Sequence, residues 1–319
     1  MNRVRSPKVT VIIPTCNRAH LVGRAIQSVL HQTYEDFELS VVDDASPDNT
    51  EEVVASFDDP RIRYIRHKHN EGAPAARNTG VGISRGEYIA FLDDDDTWHF
   101  EKLERQLAVF ESAPCEVGVV CCHISRCPPG ASVQICEARG EVSEQALRFN
   151  MPGCNASSML IRACALQGIY PLDESLPGCQ DTDMMIQLSQ RWHFDFADAV
   201  LVSLGRGSEG ISASRGKIVG REMVLKKHGE LYDAYPPATR RYAFAKHLYE
   251  VSRWHARQGD RAGAFASLLR SSMLSPKLAL QMLLLYARHR VRARGRSICR
   301  AGRYSVEGFP GSASDAGQQ

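Results

Sequence analysis

Four consecutive carboxylates, Asp93-Asp94-Asp95-Asp96, follow directly on the apolar run Tyr88-Ile89-Ala90-Phe91-Leu92. Such a run reads as a buried strand. A buried strand cannot end in a cluster of like charges unless they meet water, a cation or a ligand. In open α/β sheets, ligands bind beyond the carboxyl ends of the strands. Hard oxygen donors at alternating positions suit Mg²⁺ or Mn²⁺, which can also bridge a diphosphate. The same residues also fit a solvated acidic turn in which Asp96 or Thr97 caps a helix beginning at Phe100. The rest of the chain has to choose between the two.

Upstream, the pattern repeats. Val9 to Ile13 is a continuous, mostly β-branched run ending at Pro14, and Phe37 to Val42 is a second run, again ending in acid at Asp43-Asp44. Between them Leu21, Val22, Ala25, Ile26, Val29 and Leu30 fall at helical spacing. A loop through Ser46-Pro47-Asp48-Asn49 leads into a short helix ending near Phe57, and Ile62 to Ile65 is a third strand. A small-residue helix from Ala73 to Ile83 precedes the strand that ends in the acids. The order β-α-β-α-β-α-β predicts a parallel sheet with helices on its faces.

Beyond Glu101 the order changes. A helix is expected over Lys102 to Ser112, strands over Val117 to Ile124, Ser157 to Ile161 and Phe194 to Leu204, and a helix over Asp181 to Gln190. From Lys217 the chain reads as helix only: Arg240 to Arg257, Arg261 to Ser272, and Pro276 to about Val291. Tyr242 to Pro276 loosely resembles a single tetratricopeptide helix pair. The Ser/Gly/Ala stretch after Tyr304 has the composition of a disordered tail.

A chain of 319 residues with a net charge of +2 gives no global sign of a nucleic-acid partner. The start, Met1 to Pro7, lacks the apolar core of a signal peptide, and no apolar run approaches the roughly 20 residues of a membrane span. The ten cysteines are irregularly spaced, without a CxxC pair, so buried reduced thiols in a cytoplasmic protein are expected rather than structural zinc. Asn155-Ala156-Ser157 fits a glycosylation sequon, which means little in such a chain.

The first strand lacks the glycine fingerprint of a dinucleotide fold, and no P-loop Gly-Lys-Ser occurs. Acids and arginines stand at successive strand ends instead: Asp43-Asp44, Arg77-Asn78 and Asp93 to Asp96. Carboxylates accept hydrogen bonds from base and ribose, arginine clamps phosphate, and a metal held by acids neutralises a leaving diphosphate. Together they describe a nucleotide-diphosphate site.

At this point the chain resembles the family 2 glycosyltransferases of GT-A fold. The resemblance is carried by Val11-Ile12-Ile13-Pro14-Thr15-Cys16-Asn17-Arg18, Val42-Asp43-Asp44-Ala45-Ser46-Pro47-Asp48, Asn70-Glu71-Gly72-Ala73-Pro74-Ala75-Ala76-Arg77-Asn78 and Gly86 to Asp96. It covers roughly residues 8 to 215. It implies a Rossmann-like, mostly parallel α/β sheet flanked by helices, with an all-helical C-terminal extension. The implied divisions are a tail over 1–7, a nucleotide-sugar-binding half over 8–100, an acceptor-binding half over 101–216, a helical region over 217–304 and a disordered tail over 305–319.

By resemblance, Pro14, Thr15, Cys16 and Arg18 belong to the nucleotide pocket, with Asp44 at the base edge and Arg77 beside the nucleotide. Cys16 departs from the family, many of whose members place a base-stacking ring there. Asp93 and Asp95 are similar to the family's Asp-x-Asp metal pair for Mn²⁺ or Mg²⁺, with Asp93 and Asp94 also near the nucleotide. Asp94 and Asp96 fit either role, so the ligand set stays open. Gly178-Cys179-Gln180-Asp181-Thr182-Asp183 resembles the segment carrying the general base, which points to Asp181, with Asp183 as fallback. The rival reading of Asp181 is a helix N-cap.

Gly153-Cys154-Asn155 is a candidate for the acceptor pocket, and Ile211 to Arg215 resembles a loop that folds over the diphosphate. The downstream Gln-x-x-Arg-Trp of processive synthases is absent, since Gln190-Arg191-Trp192 lacks the two intervening residues. His228 reads as a residue at a helix C-terminus rather than a metal ligand. Arg288, Arg290, Arg292, Arg294 and Arg296, after an apolar stretch, fit either a helix on an anionic membrane or a solvated basic end.

The expectation is a non-processive, metal-dependent, inverting enzyme moving a sugar from a nucleotide donor, UDP by default, to a hydroxyl of a saccharide or lipid-linked acceptor. Surface polysaccharide or lipopolysaccharide assembly is the implied setting, with peripheral contact on the inner face of the membrane. The alternatives are a non-catalytic nucleotide-sugar-binding protein on the same fold and a nucleotidyltransferase, whose glycine-rich signature is missing.

Overall fold

The computed structural model describes residues 6–126, 132–205, 215–278 and 280. The apolar runs form the strands β1 (Val9–Thr15), β2 (Phe37–Asp43), β3 (Ile62–Arg66) and β4 (Tyr88–Phe91), separated by α1 (Ala19–Leu30), α2 (Thr50–Ala55) and α3 (Ala73–Gly82). Strands β3, β2, β1 and β4 lie side by side in parallel. Their carboxyl ends, where the acids sit, therefore face one edge of the molecule.

The second half follows as β5 (Thr97–Trp98), α4 (Lys102–Ser112), β6 (Val117–Arg126), β7 (Val133–Gln134), α5 (Ser143–Leu147), β8 (Leu160–Arg162), α6 (Ala163–Gln167), α7 (Gln180–Ser189) and β9 (His193–Leu204). The sheet order is β3-β2-β1-β4-β8-β6-β9-β5, with β7 on β6. Strand β8 runs antiparallel between β4 and β6, so the sheet is mixed. It is buried on both faces. Val9, Val11 and Ile13 face a core with Ile26, Leu103 and Leu107, whereas Ile12, Ile89 and Phe91 face Val119, Met184 and Phe194.

Then come α8 (Arg215–Lys227), α9 (Pro237–Arg257) and α10 (Arg261–Leu274). A third apolar cluster joins Leu147 of α5, Ile186 of α7, Val224 of α8 and Ala243 of α9. The C-terminal helices are thus packed onto α5 and α7 of the second half of the sheet domain. The turn at Gly259, with φ of 79°, folds α10 back on α9, as the helix-pair resemblance implies. Among the described residues no helix is long and apolar enough to cross a membrane.

Several expectations shift. No helix begins at Phe100: Thr97–Trp98 pairs with β9, and α4 starts after Glu101, so neither Asp96 nor Thr97 is its cap. The strand expected from Ser157 begins only at Leu160, because Asn155 and Ser158 form a reciprocal capping box over a single 3₁₀ turn, Ala156–Ser158. Cys121, Cys122, Cys136, Cys154 and Cys179 are buried, but Cys115 and Cys164 are exposed. Cys121, Cys136 and Cys154 come together with sulfurs within 4.8 Å of one another, which spacing could not foretell. The Pro-Pro-Gly loop, residues 206–214, the arginine-rich stretch and the tail lie outside the described residues.

Candidate active site

A cavity of about 740 Å³ opens over the carboxyl ends of β1, β2 and β4 and is closed on its far side by α7 and α8. Pro14, Thr15, Cys16, Arg18, Asp44, Arg77, all four acids from Asp93 to Asp96, and Asp181 line it. Residues from five separate stretches of sequence therefore share one space.

At the β1–β2 end, Asp44 is buried and organises the wall. Its Oδ1 accepts from Glu71 N at 2.8 Å, its Oδ2 accepts from Gly72 N at 2.7 Å, and His67 Nδ1 lies 2.9 Å from Oδ1. His67 Nε2 reaches Thr79 Oγ1 at 2.8 Å, tying this wall to α3. Asn70 Nδ2 donates to Cys16 Sγ at 3.1 Å, and Cys16 Sγ donates to Asp44 O at 3.3 Å. The position lacking a stacking ring is thus a thiol held by polar neighbours.

The four acids divide into two kinds. Asp94 accepts from Thr15 Oγ1 at 2.8 Å and pairs with Arg18 Nη1 at 2.7 Å, while Asp96 accepts from Ser157 Oγ at 2.6 Å and from Gly205 N at 2.9 Å. Both are buried. Gly205 can make that bond because it has no side chain: a Cβ there would lie 1.9 Å from Asp95 O. Asp93 and Asp95, the alternate pair, stay open to the cavity, their side chains 38% and 19% exposed. Asp93 Oδ1 takes Arg77 Nη2 at 2.6 Å, and Asp95 has Arg18 at 3.6 Å.

Burial raises the pKa of Asp94, with Arg18 pulling back. Burial and the Asp93 charge raise Asp95, and Asp96 is raised well above the ordinary value by burial and by Asp93 and Asp95. These directions describe negative charge in excess of its local compensation, the condition a divalent cation relieves. Asp93 and Asp95 are the residues that could hold one. Arg77 is buried on α3, and among the described residues its Nε has no hydrogen-bond partner. Burial works against its charge, but Asp93 and Asp181 outweigh that and hold it protonated.

Across the cavity, Asp181 sits in the first turn of α7 and is not the N-cap. That position is Cys179, with φ of 64° and no side-chain cap bond. Among the described residues the Asp181 carboxylate accepts no hydrogen bond. Asp183, two residues on, is spoken for: it is buried, with Lys227 Nζ at 2.9 Å and His228 Nε2 at 2.7 Å. The fallback assignment to Asp183 is therefore withdrawn, and His228, at the C-terminal end of α8 as expected, also has a carboxylate partner. Asn155 lines the cavity as expected, but Gly153 and Cys154 do not.

Residues without a signal in the sequence complete the site. Ser157 and Gly205 act on the acids from loops far away in sequence. Lys217 and Arg221 enter the lining from α8, where only their four-residue spacing within a helix was legible.

The profile of the glycosyl transferase family 2 matches residues 10–158. Among curated proteins, the chain is 45% identical over 101 residues to the Escherichia coli UDP-Glc:alpha-D-GlcNAc-diphosphoundecaprenol beta-1,3-glucosyltransferase WfgD, covering 32% of this chain and 40% of the relative. It is 29% identical over 264 residues to the putative colanic acid biosynthesis glycosyl transferase WcaA of Escherichia coli strain K12, covering 77% and 88%. The chain spans less than half of the length of the first curated relatives it matches. Among solved structures, the mannosyltransferase PcManGT of Pyrobaculum calidifontis, in complex with GDP-Man and Mn²⁺, superposes with a TM-score of 0.57 at 20% identity over 90% of this chain and 81% of that one. The last likeness concerns fold, and the fold is GT-A.

Proposed function

We propose that this chain, whose residues 10–158 match the glycosyl transferase family 2, moves a sugar from a nucleoside-diphosphate donor to an acceptor hydroxyl with inversion. The observation that carries the reading is the placement of Asp181, a carboxylate without a hydrogen-bond partner among the described residues, in the same cavity as the open pair Asp93 and Asp95. A binding protein has no use for a free acid on the acceptor side.

In the proposed mechanism the nucleoside lies along Pro14 to Cys16 and Asp44, with Arg77 against the diphosphate. A divalent cation held by Asp93 and Asp95 would supply positive charge to the leaving diphosphate. Asp181 takes the proton of the acceptor hydroxyl as its oxygen bonds to the anomeric carbon, on the face opposite the breaking bond to the diphosphate. The packed α7 helix holds that carboxylate in register. UDP is the proposed nucleotide, supported by the UDP-glucose of the Escherichia coli relative's name, and a lipid-linked saccharide is the proposed acceptor class, in polysaccharide assembly at a membrane surface.

The test is Asp181→Asn, assayed for UDP binding with Mn²⁺ and for release of UDP from UDP-sugars over an acceptor panel. Unchanged binding with transfer reduced by at least about 10²-fold is expected. Turnover at the wild-type rate removes Asp181 as the base.

A further inference from the structure

Helix α8 brings two cations to the acceptor wall that no acid among the described residues pairs with. Lys217 and Arg221 are one turn apart and line the cavity beside Cys179, Gln180 and Asp181. Arg221 is only 7% exposed, yet among the described residues its Nε and Nη1 have no hydrogen-bond partner. Among the described residues neither cation makes an ion pair. The Arg221 guanidinium lies 4.9 Å from the centre of the Phe149 ring, which supports it from behind.

The field around them is positive. Lys246 is half-buried beside them with its Nζ donating to Phe149 O at 2.8 Å, and desolvation together with Arg221 pulls its pKa down to about 8. Of the nearby acids, Glu222 is engaged with His247 at 3.2 Å and Glu250 faces Lys246. The approach of α8 is built in: a Cβ at Gly220 would lie 2.1 Å from Gly178 O, so glycine is what lets Arg221 reach this wall.

A buried guanidinium with unpaired N–H groups is costly unless a ligand completes it, and a fork of N–H donors beside an ammonium matches phosphate oxygens. We propose that Lys217 and Arg221 form a subsite for a phosphate ester carried by the acceptor, so that the acceptor is a phosphate- or diphosphate-linked saccharide and not a free sugar. The proposal rests on the cavity being a sugar-transfer site. The donor's own diphosphate offers the same chemistry, but Arg18 and Arg77 already stand on the donor side with the four acids.

The experiment titrates geranyl diphosphate, with geraniol as the uncharged control, into the full chain saturated with UDP and Mn²⁺, followed by calorimetry. Geranyl diphosphate is expected to bind the loaded protein and geraniol not. Arg221→Gln and Lys217→Gln should each weaken that binding at least tenfold and leave UDP affinity within twofold, with Arg221→Lys recovering part of it. Circular dichroism establishes folding, and Lys217→Gln serves if Arg221→Gln does not fold. UDP binding without geranyl diphosphate binding overturns the subsite, and so does a loss of UDP affinity in the two variants. Failure of the wild type to bind any nucleotide refutes the sugar-transfer reading instead. The cations are then tested alone with pyrophosphate, whose equal binding to wild type and Arg221→Gln overturns them as an anion site.

Discussion

Ser157 is the residue through which the 3₁₀ turn before β8 holds the acid cluster, and its removal has a calculable cost. Its Oγ donates to the buried Asp96 Oδ2 at 2.6 Å and accepts from Asp93 N at 3.1 Å. A hydrogen bond to a charged group contributes about 1.5–3 kcal/mol and a neutral one about 0.5–1.5 kcal/mol. Ser157→Ala changes volume little, so the two bonds set the loss at about 2–4 kcal/mol. Urea denaturation at pH 7.5 measures it.

The charged share is isolated by a double-mutant cycle with Asp96→Asn, in which the coupling should exceed about 1 kcal/mol. The Ser157 bond lowers the pKa of Asp96, so its loss matters most where Asp96 is ionised. The penalty should therefore shrink as pH falls through the Asp96 pKa. A Ser157→Ala cost that is the same in the wild-type and Asp96→Asn backgrounds, or that is flat with pH, refutes the claim that Ser157 stabilises a buried charge.

Two further outcomes follow from the same electrostatics. Asp95 and Asp96 have folded pKa values raised above 3.8, so the native state binds more protons than the unfolded chain and metal-free stability should fall as pH rises above that value. Mn²⁺ must displace those protons, so its thermal shift should grow as pH rises above the ordinary carboxylate range and vanish in Asp95→Asn; a pH-independent shift contradicts this. Asp183→Ala strands His228 and leaves Lys227 with Asp173 alone, at a cost of about 3 kcal/mol, the low end for a broken buried pair because Lys227 keeps that second partner and is partly in water. UDP binding should survive in the folded protein, and loss of turnover at unchanged stability would return Asp183 to the chemistry.

The parallel half of the sheet was legible because its strands are buried on both faces and read as unbroken apolar runs, as Val9 to Ile13 does. The site residues on those strand ends were legible for the same reason, since strand polarity fixes where the ends point. What the sequence concealed depends on pairing across long separations. Leu160–Arg162 is only three residues long, and its place between β4 and β6 is decided by partners some 40 to 70 residues away, Val119 and Ile89 among them. Thr97–Trp98 was hidden because β9 pairs with it from over a hundred residues downstream. Ser157 and Gly205 carry no local mark of their contact with Asp96, which exists only once both loops have closed on it.

The acids themselves teach the sharper point. Asp93 and Asp95 are open while Asp94 and Asp96 are bonded into the protein, and Asp181 is open while Asp183 is paired. In each run, residues of one type at adjacent or near-adjacent positions are given different work by what surrounds them. In the turn after β4 all four carboxylates reach the cavity lining, but Asp94 is tied to Thr15 and Arg18 and Asp96 to Ser157 and Gly205, while Asp93 and Asp95 stay more open. On α7, a displacement of two residues turns a side chain by about 200°, from the cavity into the α7–α8 interface. Composition therefore says that the site is acidic, but the backbone decides which acids remain available. The ones left available are the two that could share a cation and the one that could take a proton. A chain needing negative charge only for solubility would have no reason to bury Asp94 and Asp96 at the cost of raised pKa values in order to hold their neighbours in place.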